Sequence, residues 1–366
     1  MLIKICPNLD FSDATKNYLL AMENLASAAR NGDHAVIADI QTLETLSELN
    51  DLGLSARALF KTLKRKWTQL SSLESIVSKK IIAGEFNEIK KIKNQHGEEI
   101  HVPISMFDSR ELSQKTKLIL EDVGDELIYQ LITDWFLKKK KGINNFSNLY
   151  NCNSVHGGGQ RTGFVYKTIE RKERCLTLCI VDTDKKYPTC DFGPTAEKVR
   201  EAHISGTPLN QPFYLEVHEV ENLIPISIYR LTYAKHPNDS ALKAAYESLE
   251  FLEENSAIKF FDSKKGVSCL QINLTATDER RRDYWSPLVD TIHTKKDCNH
   301  KVCNQASCKN QMIKNWPKPA ETKAEITAIR DGEQFEFNIS PWLSNEWERI
   351  GQKILNWCLR YDSIST

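Results

Sequence analysis

Two short apolar runs, each ending abruptly in acid, constrain this chain most. Residues 117 to 122 read Lys-Leu-Ile-Leu-Glu-Asp, and Asp125 follows three positions later. Residues 176 to 184 read Leu-Thr-Leu-Cys-Ile-Val-Asp-Thr-Asp. A run without polar alternation is a strand buried on both faces, as in a parallel sheet covered by helices. Open sheets of that kind hold their ligands at the carboxyl ends of the strands. Acids delivered to that edge by two strands predict one pocket suited to a divalent cation.

The surrounding pattern agrees. From 115 to about 230, strand-like and helix-like segments alternate, which argues for an α/β fold with a parallel sheet flanked by helices. The first run leads into a helix with Leu127, Ile128, Leu131, Ile132, Trp135 and Phe136 along one stripe. A second strand near 147–155 ends in Gly157-Gly158-Gly159, and a helix follows over 161–172. Strand 175–181 carries the Asp pair, helix 195–204 comes next, and strand 213–218 reaches Glu219-Val220-Glu221-Asn222.

Residues 1–114 read as a mainly helical region for regulation or interaction. Three amphipathic segments lie there. Ser12 is placed to cap the first and Gly32 to end it, and a hairpin occupies 86–108 with its turn at His96-Gly97. Residues 115–275 form the expected catalytic unit. Residues 276–366 combine a loop-rich Cys/His insertion with a terminal helix, about 344–360, bearing Trp347, Ile350, Ile354, Leu355 and Cys358.

Lys+Arg and Asp+Glu each total 49, so no net field draws nucleic acid in and any such binding must use local patches. Lys61 to Lys66 and Lys138 to Lys141 are such patches, although cations closing a helix are also favoured by its dipole. No apolar run reaches the roughly 18 residues of a membrane span. Met1 to Asp10 lacks a signal-peptide core, so a cytoplasmic protein without a membrane partner is expected. Neither Gly-x-x-x-x-Gly-Lys-Ser/Thr nor Gly-x-Ser-x-Gly occurs.

Cleaving a phosphodiester requires charge neutralisation at the phosphate and an activated oxygen nucleophile. Mg²⁺ or Mn²⁺ held by one or two carboxylates, with water completing its shell, supplies both. Asp182 and Asp184 share one side of an extended segment, as do Glu219 and Glu221, so spacing alone does not separate the latter two. Gly157 to Gly159 either lets backbone approach a phosphate or makes a tight strand-to-helix turn.

Taken together, these segments resemble the Toprim nucleases, in particular the OLD-type and related bacterial antiphage effectors. Leu-Ile-Leu-Glu-Asp-Val-Gly-Asp is similar to the first motif of that fold, and Ile-Val-Asp-Thr-Asp to its Asp-x-Asp motif. Glu219-Val220-Glu221-Asn222-Leu223 and Phe261-Asp262-Ser263-Lys264-Lys265-Gly266 resemble two later elements, so the likeness covers about 115–270. Two positions differ from the family pattern: Asp122 stands where many relatives have glycine, and Lys185-Lys186-Tyr187 follow Asp184 in place of a glycine.

The resemblance implies a Toprim-like endonuclease acting on DNA or RNA. Glu121, Asp182, Asp184 and Lys264 would be catalytic. Glu121, Asp125, Asp182, Asp184 and Glu221 would hold Mg²⁺ or Mn²⁺. It also implies a defence role and a separately encoded ATPase or sensor partner, and a homo-oligomer is compatible with it. A zinc-stiffened adaptor that binds nucleic acid or protein, and a nucleotidyltransferase like the Toprim primases, are the alternatives.

Cysteine spacing adds one expectation. Cys6, Cys152, Cys175, Cys179, Cys190, Cys269 and Cys358 lack motif spacing and read as small buried hydrophobes. Cys298, His300, Cys303 and Cys308 read as a structural Zn²⁺ set, with His293 as substitute, amid Lys295, Lys296, Lys301, Lys309 and Lys314.

Overall fold

The computed structural model describes all residues except 8, 12–17, 96, 144–148, 204–206, 293–297, 337 and 362–366. The expected Ser12 cap, the His96 turn residue, His293, Lys295 and Lys296 therefore lie outside the described residues.

The first third of the chain departs from the mainly helical expectation. Strands β1 (Leu2–Ile5), β2 (Ala35–Ile37), β3 (Lys79–Gly84), β4 (Lys90–Asn94) and β5 (Gly97–Pro103) form a five-stranded sheet in the order β2-β1-β3-β5-β4. Only the β4–β5 hairpin is antiparallel. The expected helices are present as α1 (Leu19–Asn31), α2 (Ile40–Glu48) and α3 (Leu54–Arg65), followed by the single turn α4 (Trp67–Ser71). Gly32, at φ 67°, ends α1. Asp39 caps α2 by accepting from the Thr42 amide. The β4–β5 hairpin falls within the hairpin expected over 86–108, whereas β1, β2 and β3 escaped sequence reading; β2 is three residues long and its Val36 and Ile37 also fit the stripe of α2.

The second sheet is the one the acid-tipped runs predict. It contains β6 (Lys117–Leu120), β7 (Asn153–His156), β8 (Thr177–Val181) and β9 (Asn210–Tyr214) in the order β7-β6-β8-β9, all parallel. Helices α5 (Glu126–Lys139), α6 (Thr162–Lys172) and α7 (Pro194–Ala202) connect them. Period-two alternation sorts the side chains. Leu118, Leu120, Leu178 and Ile180 join the main core, whereas Ile119, Cys179 and Val181 pack with Tyr166, Ala196 and Val199 of α6 and α7.

Beyond β9 come α8 (Ile226–Ala234), α9 (Ser240–Glu254), the two-residue β10 (Val267–Ser268), α10 (Glu279–Ile292), β11 (Gln311–Ile313), α11 (Pro319–Asp331) and α12 (Pro341–Cys358). β10 and β11 pair antiparallel. α12 packs along α5 and α11 packs on α5 and α8, so the C-terminal segment covers the second sheet. One hydrophobic cluster holds Leu2, Ile81, Leu118, Ile132 and Trp347 together. Among the described residues no helix is long and apolar enough to cross a membrane.

Candidate functional site

Parallel pairing of β6 with β8, Lys117 opposite Thr177 and Ile119 opposite Cys179, brings their carboxyl ends level. Glu121 and Asp182 are the next residues out. Glu121 Oε1 accepts from the Asp182 amide at 3.1 Å, so the two acid-bearing ends are joined directly. Asp125 closes the short 3-10 turn before α5 and is buried, whereas Asp122 is exposed and spends its Oδ1 on the Gly124 amide. The glycine turn 157–159 lies behind Glu121. Gly157 N donates to Leu120 O and Gly158 N to Glu121 O, with Gly158 and Gly159 at φ 77° and 56°.

Asp184 arrives by a different route from the one spacing suggests. The strand stops at Val181, and Asp184 is left-handed at φ 52°, one of few non-glycine residues so placed among the described ones. Its amide donates to His218 O, and a Cβ on Gly193 would collide with its side chain. Gly193, whose amide donates to Thr183 O, thus leaves the space that the Asp184 side chain occupies.

The third acidic element is positioned by Asn222. Its Oδ1 accepts from Glu219 N, and its Nδ2 donates to Ile258 O and Phe261 O at 2.7 Å each. This clamps the Glu219–Leu223 segment to the stretch that carries Asp262, Ser263 and Lys264. Lys264 Nζ sits 3.0 Å from Glu219 Oε2 and 2.9 Å from Glu221 Oε1. Ser263 N and Oγ both donate to Glu219 Oε1. Glu219 is therefore saturated by protein donors. Glu221 Oε2 is buried and has no hydrogen-bond partner among the described residues. That asymmetry separates two residues the sequence could not, and leaves Glu221 as the ligand-ready one.

The electrostatics mark a shared pocket. Burial, then Asp184 and Asp125, push Glu121 up to about 7. Burial and Glu221 push Asp125 up to about 6. Burial and the charges of Glu121, Asp125 and Glu221 drive Asp182 well above the carboxylate range, although part of its surface remains open. Burial disfavours a charged Lys264, but Glu219 and Glu221 outweigh it and raise its pKa. Two contributors went unread in the sequence. Tyr129 lies buried on the first turn of α5 and feels the same acids, and Lys323 of α11 places Nζ 3.7 Å from Asp125 Oδ1. Helical periodicity marks Tyr129 as core and Lys323 as surface, so neither carried a signal.

Lys264 and Lys323 offset part of this negative charge, and a cation would offset more. Among the described residues, two sets of ligand atoms lie within 4.8 Å of one another: Cys269–Cys298–Cys303–Cys308 and His218–Glu219–Asp262. The second set is internally satisfied. Asp262 Oδ1 accepts from the Lys264 and Lys265 amides, and Glu219 is held by Ser263 and Lys264. His218 Nδ1 faces Lys185 O at 3.0 Å. No three of Glu121, Asp125, Asp182, Asp184 and Glu221 bring ligand atoms within 4.8 Å of one another.

The cysteine cluster corrects the expected zinc set. Cys269, read from sequence as a buried hydrophobe, supplies the fourth sulfur. Its Sγ lies 3.5 Å from Cys298, and Cys308 lies 3.7 Å from Cys298. Zn–S bonds of about 2.3 Å in a tetrahedron put sulfurs roughly 3.8 Å apart, so these spacings match a four-thiolate zinc site. His300 is not in the set; it is buried with Nε2 3.8 Å from Asp290. Cys269 was missed because it stands 29 residues before Cys298 and only the β10–β11 pairing brings it there. A Cys-rich cluster able to bind structural zinc is thus present.

The basic runs lie elsewhere. Lys138 donates to Glu333 O, Lys139 pairs with Glu336 and Lys140 with Glu348. They close α5 at the end opposite Asp125. Lys64 pairs with Glu44 in the N-terminal region. No protein-family model, curated protein or solved structure matches the chain.

Proposed function

We propose that the chain is a Toprim-like, metal-dependent endonuclease that hydrolyses phosphodiester bonds of nucleic acid. The observation that carries this reading is the mutual charge interaction of Glu121, Asp125, Asp182, Asp184 and Glu221 at adjoining strand ends, with the buried Glu221 Oε2 unpaired among the described residues. Asp182, Asp184, Asp125 and Glu221 are the residues to hold Mg²⁺ or Mn²⁺. The ion, when bound, neutralises phosphate charge and acidifies a water molecule. Glu121, whose Oε1 already reaches the end of the neighbouring strand, would be placed to take a proton from the attacking water and return one to the leaving oxygen. Lys264 is held charged between Glu219 and Glu221, placed to share negative charge building on the phosphoryl oxygens.

The likeness of the four motifs supports the fold assignment and the role of a bacterial antiphage effector. The same likeness supports restraint by a separately encoded ATPase or sensor. Structural Zn²⁺ at the four cysteines would stiffen the segment that presents Lys264.

Glu121→Gln tests the chemistry. The substitution keeps shape and the hydrogen bond from Asp182 N while removing the base. Mn²⁺-dependent cleavage of plasmid and RNA substrates should fall by about 10² or more, the usual contribution of a positioned acid or base. The variant should still unfold in one cooperative transition. Undiminished cleavage in the folded variant rules the mechanism out.

A further inference from the structure

Helix α6 carries its charges unevenly. Thr162, Gly163, Tyr166 and Ile169 form its buried face. The two acids near its end are drawn inward or already paired. The Glu170 side chain is 7% exposed with Oε1 3.8 Å from His203 Nδ1, and Glu173 pairs with Lys117 of β6. The outward face is left cationic. Arg161, just before the helix, Lys167 and Arg171 are exposed, and none forms an ion pair among the described residues. Between them stands Phe164, 66% exposed, with no ring packed on it among those residues. Positions 161, 164, 167 and 171 recur every three or four residues, so they line one side of the helix. A lone exposed ring is ordinary. A ring set among three cations that lack acid partners is a pattern.

That face begins beside the acid pocket. The turn before α6 is bonded to Glu121, because Gly158 N and Gly159 N both donate to Glu121 O, at 3.2 and 3.4 Å. At 1.5 Å per residue, the stripe from Arg161 to Arg171 runs for about 15 Å away from that turn. Lys198 of α7 adds a cation at the near end, where its Nζ donates to Gln160 O at 3.5 Å. Cations that flank an open ring suit a polymer with phosphates at intervals and unpaired bases between them. An acidic peptide matches the charge and brings no flat ring. A duplex matches the charge and keeps its base faces covered within the stack.

We infer that the outer face of α6 holds single-stranded nucleic acid beside the cleavage site, with phosphates on Arg161, Lys167 and Arg171 and a base on the Phe164 ring. Stacking tolerates any base, so this surface selects strandedness over sequence. This rests on the nuclease reading, and the two fail under different results.

A fluorescent oligothymidylate, alone or paired with its complement, is bound to the full chain without added Mg²⁺ or Mn²⁺ and followed by anisotropy over a salt series. Wild type is compared with Phe164→Ala and with the triple variant Arg161→Gln, Lys167→Gln, Arg171→Gln. All four side chains are exposed, so both variants should melt with the wild type. Phe164→Ala should bind the single strand about fivefold or more weakly, as expected for one lost base stack, at an unchanged salt slope and with no loss on duplex. The triple variant should reduce the slope of log affinity against log salt by about 2, three phosphate contacts at about 0.7 each. Wild-type affinity for the strand in Phe164→Ala, an unchanged slope in the triple variant, an equal loss on duplex, or no binding at low salt overturns the inference. Displacement of the strand by polyglutamate at matched charge overturns it in favour of an acidic protein. Strand binding of the expected kind without cleavage refutes the nuclease reading and keeps the surface; cleavage with Phe164→Ala binding like wild type does the reverse.

Discussion

At the scale of the residue, the carboxylates of this pocket are held against their own preference. Glu121 moves from an ordinary 4.5 to about 7 and Asp125 from 3.8 to about 6, because each is desolvated and faces other acids. The sign of the linkage follows. Between about 4.5 and about 7 the unfolded chain has released the Glu121 proton while the folded chain keeps it. Stability therefore falls as pH rises through that window and levels off above it. Urea unfolding in EDTA should show a lower midpoint at pH 8 than at pH 5. Glu121→Gln should flatten that difference, and saturating Mn²⁺ should raise the midpoint most at the higher pH. A pH-independent difference between the two proteins would remove Glu121 as the titrating group. Sequence reading could place Glu121 and Asp182 at strand ends because apolar runs stop there; single acids are common at such edges, and it was their ordered set that singled them out. Glu221 stood apart from Glu219 only once the donors around each were known.

At the scale of the element, the cysteine cluster and the acid pocket share one segment. Cys269 lies shortly after Lys264, and Gly266 between them, at φ 68°, has no room for a Cβ against Ile313 O. Trp316 N donates to Ser263 O, and Cys269 N to Asn310 O, so β10, β11 and the cysteine loop form one brace. Metal bound to the four sulfurs adds its binding energy to the folding of that brace. Cys269→Ser should release zinc, seen as loss of one equivalent by metal analysis. It should also lower activity, because Lys264 loses its support. His300→Ala should retain the metal; zinc lost from that variant and kept by Cys269→Ser would restore the set expected from spacing. Sequence proximity drew His300 into that set. A backbone pairing between short strands placed Cys269 there instead, and strands of two and three residues leave almost no periodic trace.

At the scale of the whole molecule, the two sheets and the last helix share one core. Lys79 of β3 is buried at the junction, with Nζ 2.8 Å from Glu98 and 3.0 Å from Gln211 of β9, and lies over the Trp357 ring of α12. Trp347 of α12 is fully buried, meets Trp135 edge-on at 5.3 Å, and donates from Nε1 to Leu223 O at the end of the acidic turn. Trp347→Ala should cost about 3–5 kcal/mol, the range for deleting a buried aromatic. Circular dichroism and fluorescence transitions should shift together in urea, because the cluster spans both sheets. Separate transitions would mean that the N-terminal sheet stands on its own.

The amino-acid order alone determined that a buried parallel sheet would carry acids at its edge, because apolar runs and their polar ends are local patterns. It also determined several of the long helices, whose stripes repeat over many turns, though not α10 or α11. Tertiary structure decided the rest. It decided the N-terminal sheet, whose short strands imitate helical spacing, the left-handed turn that aims Asp184, and the choice of Glu221 over Glu219. It placed Cys269 in the sulfur cluster and Lys323 beside Asp125. Each of these depends on which distant backbone atoms and charges come to lie next to a side chain, and no window of neighbouring residues contains that information.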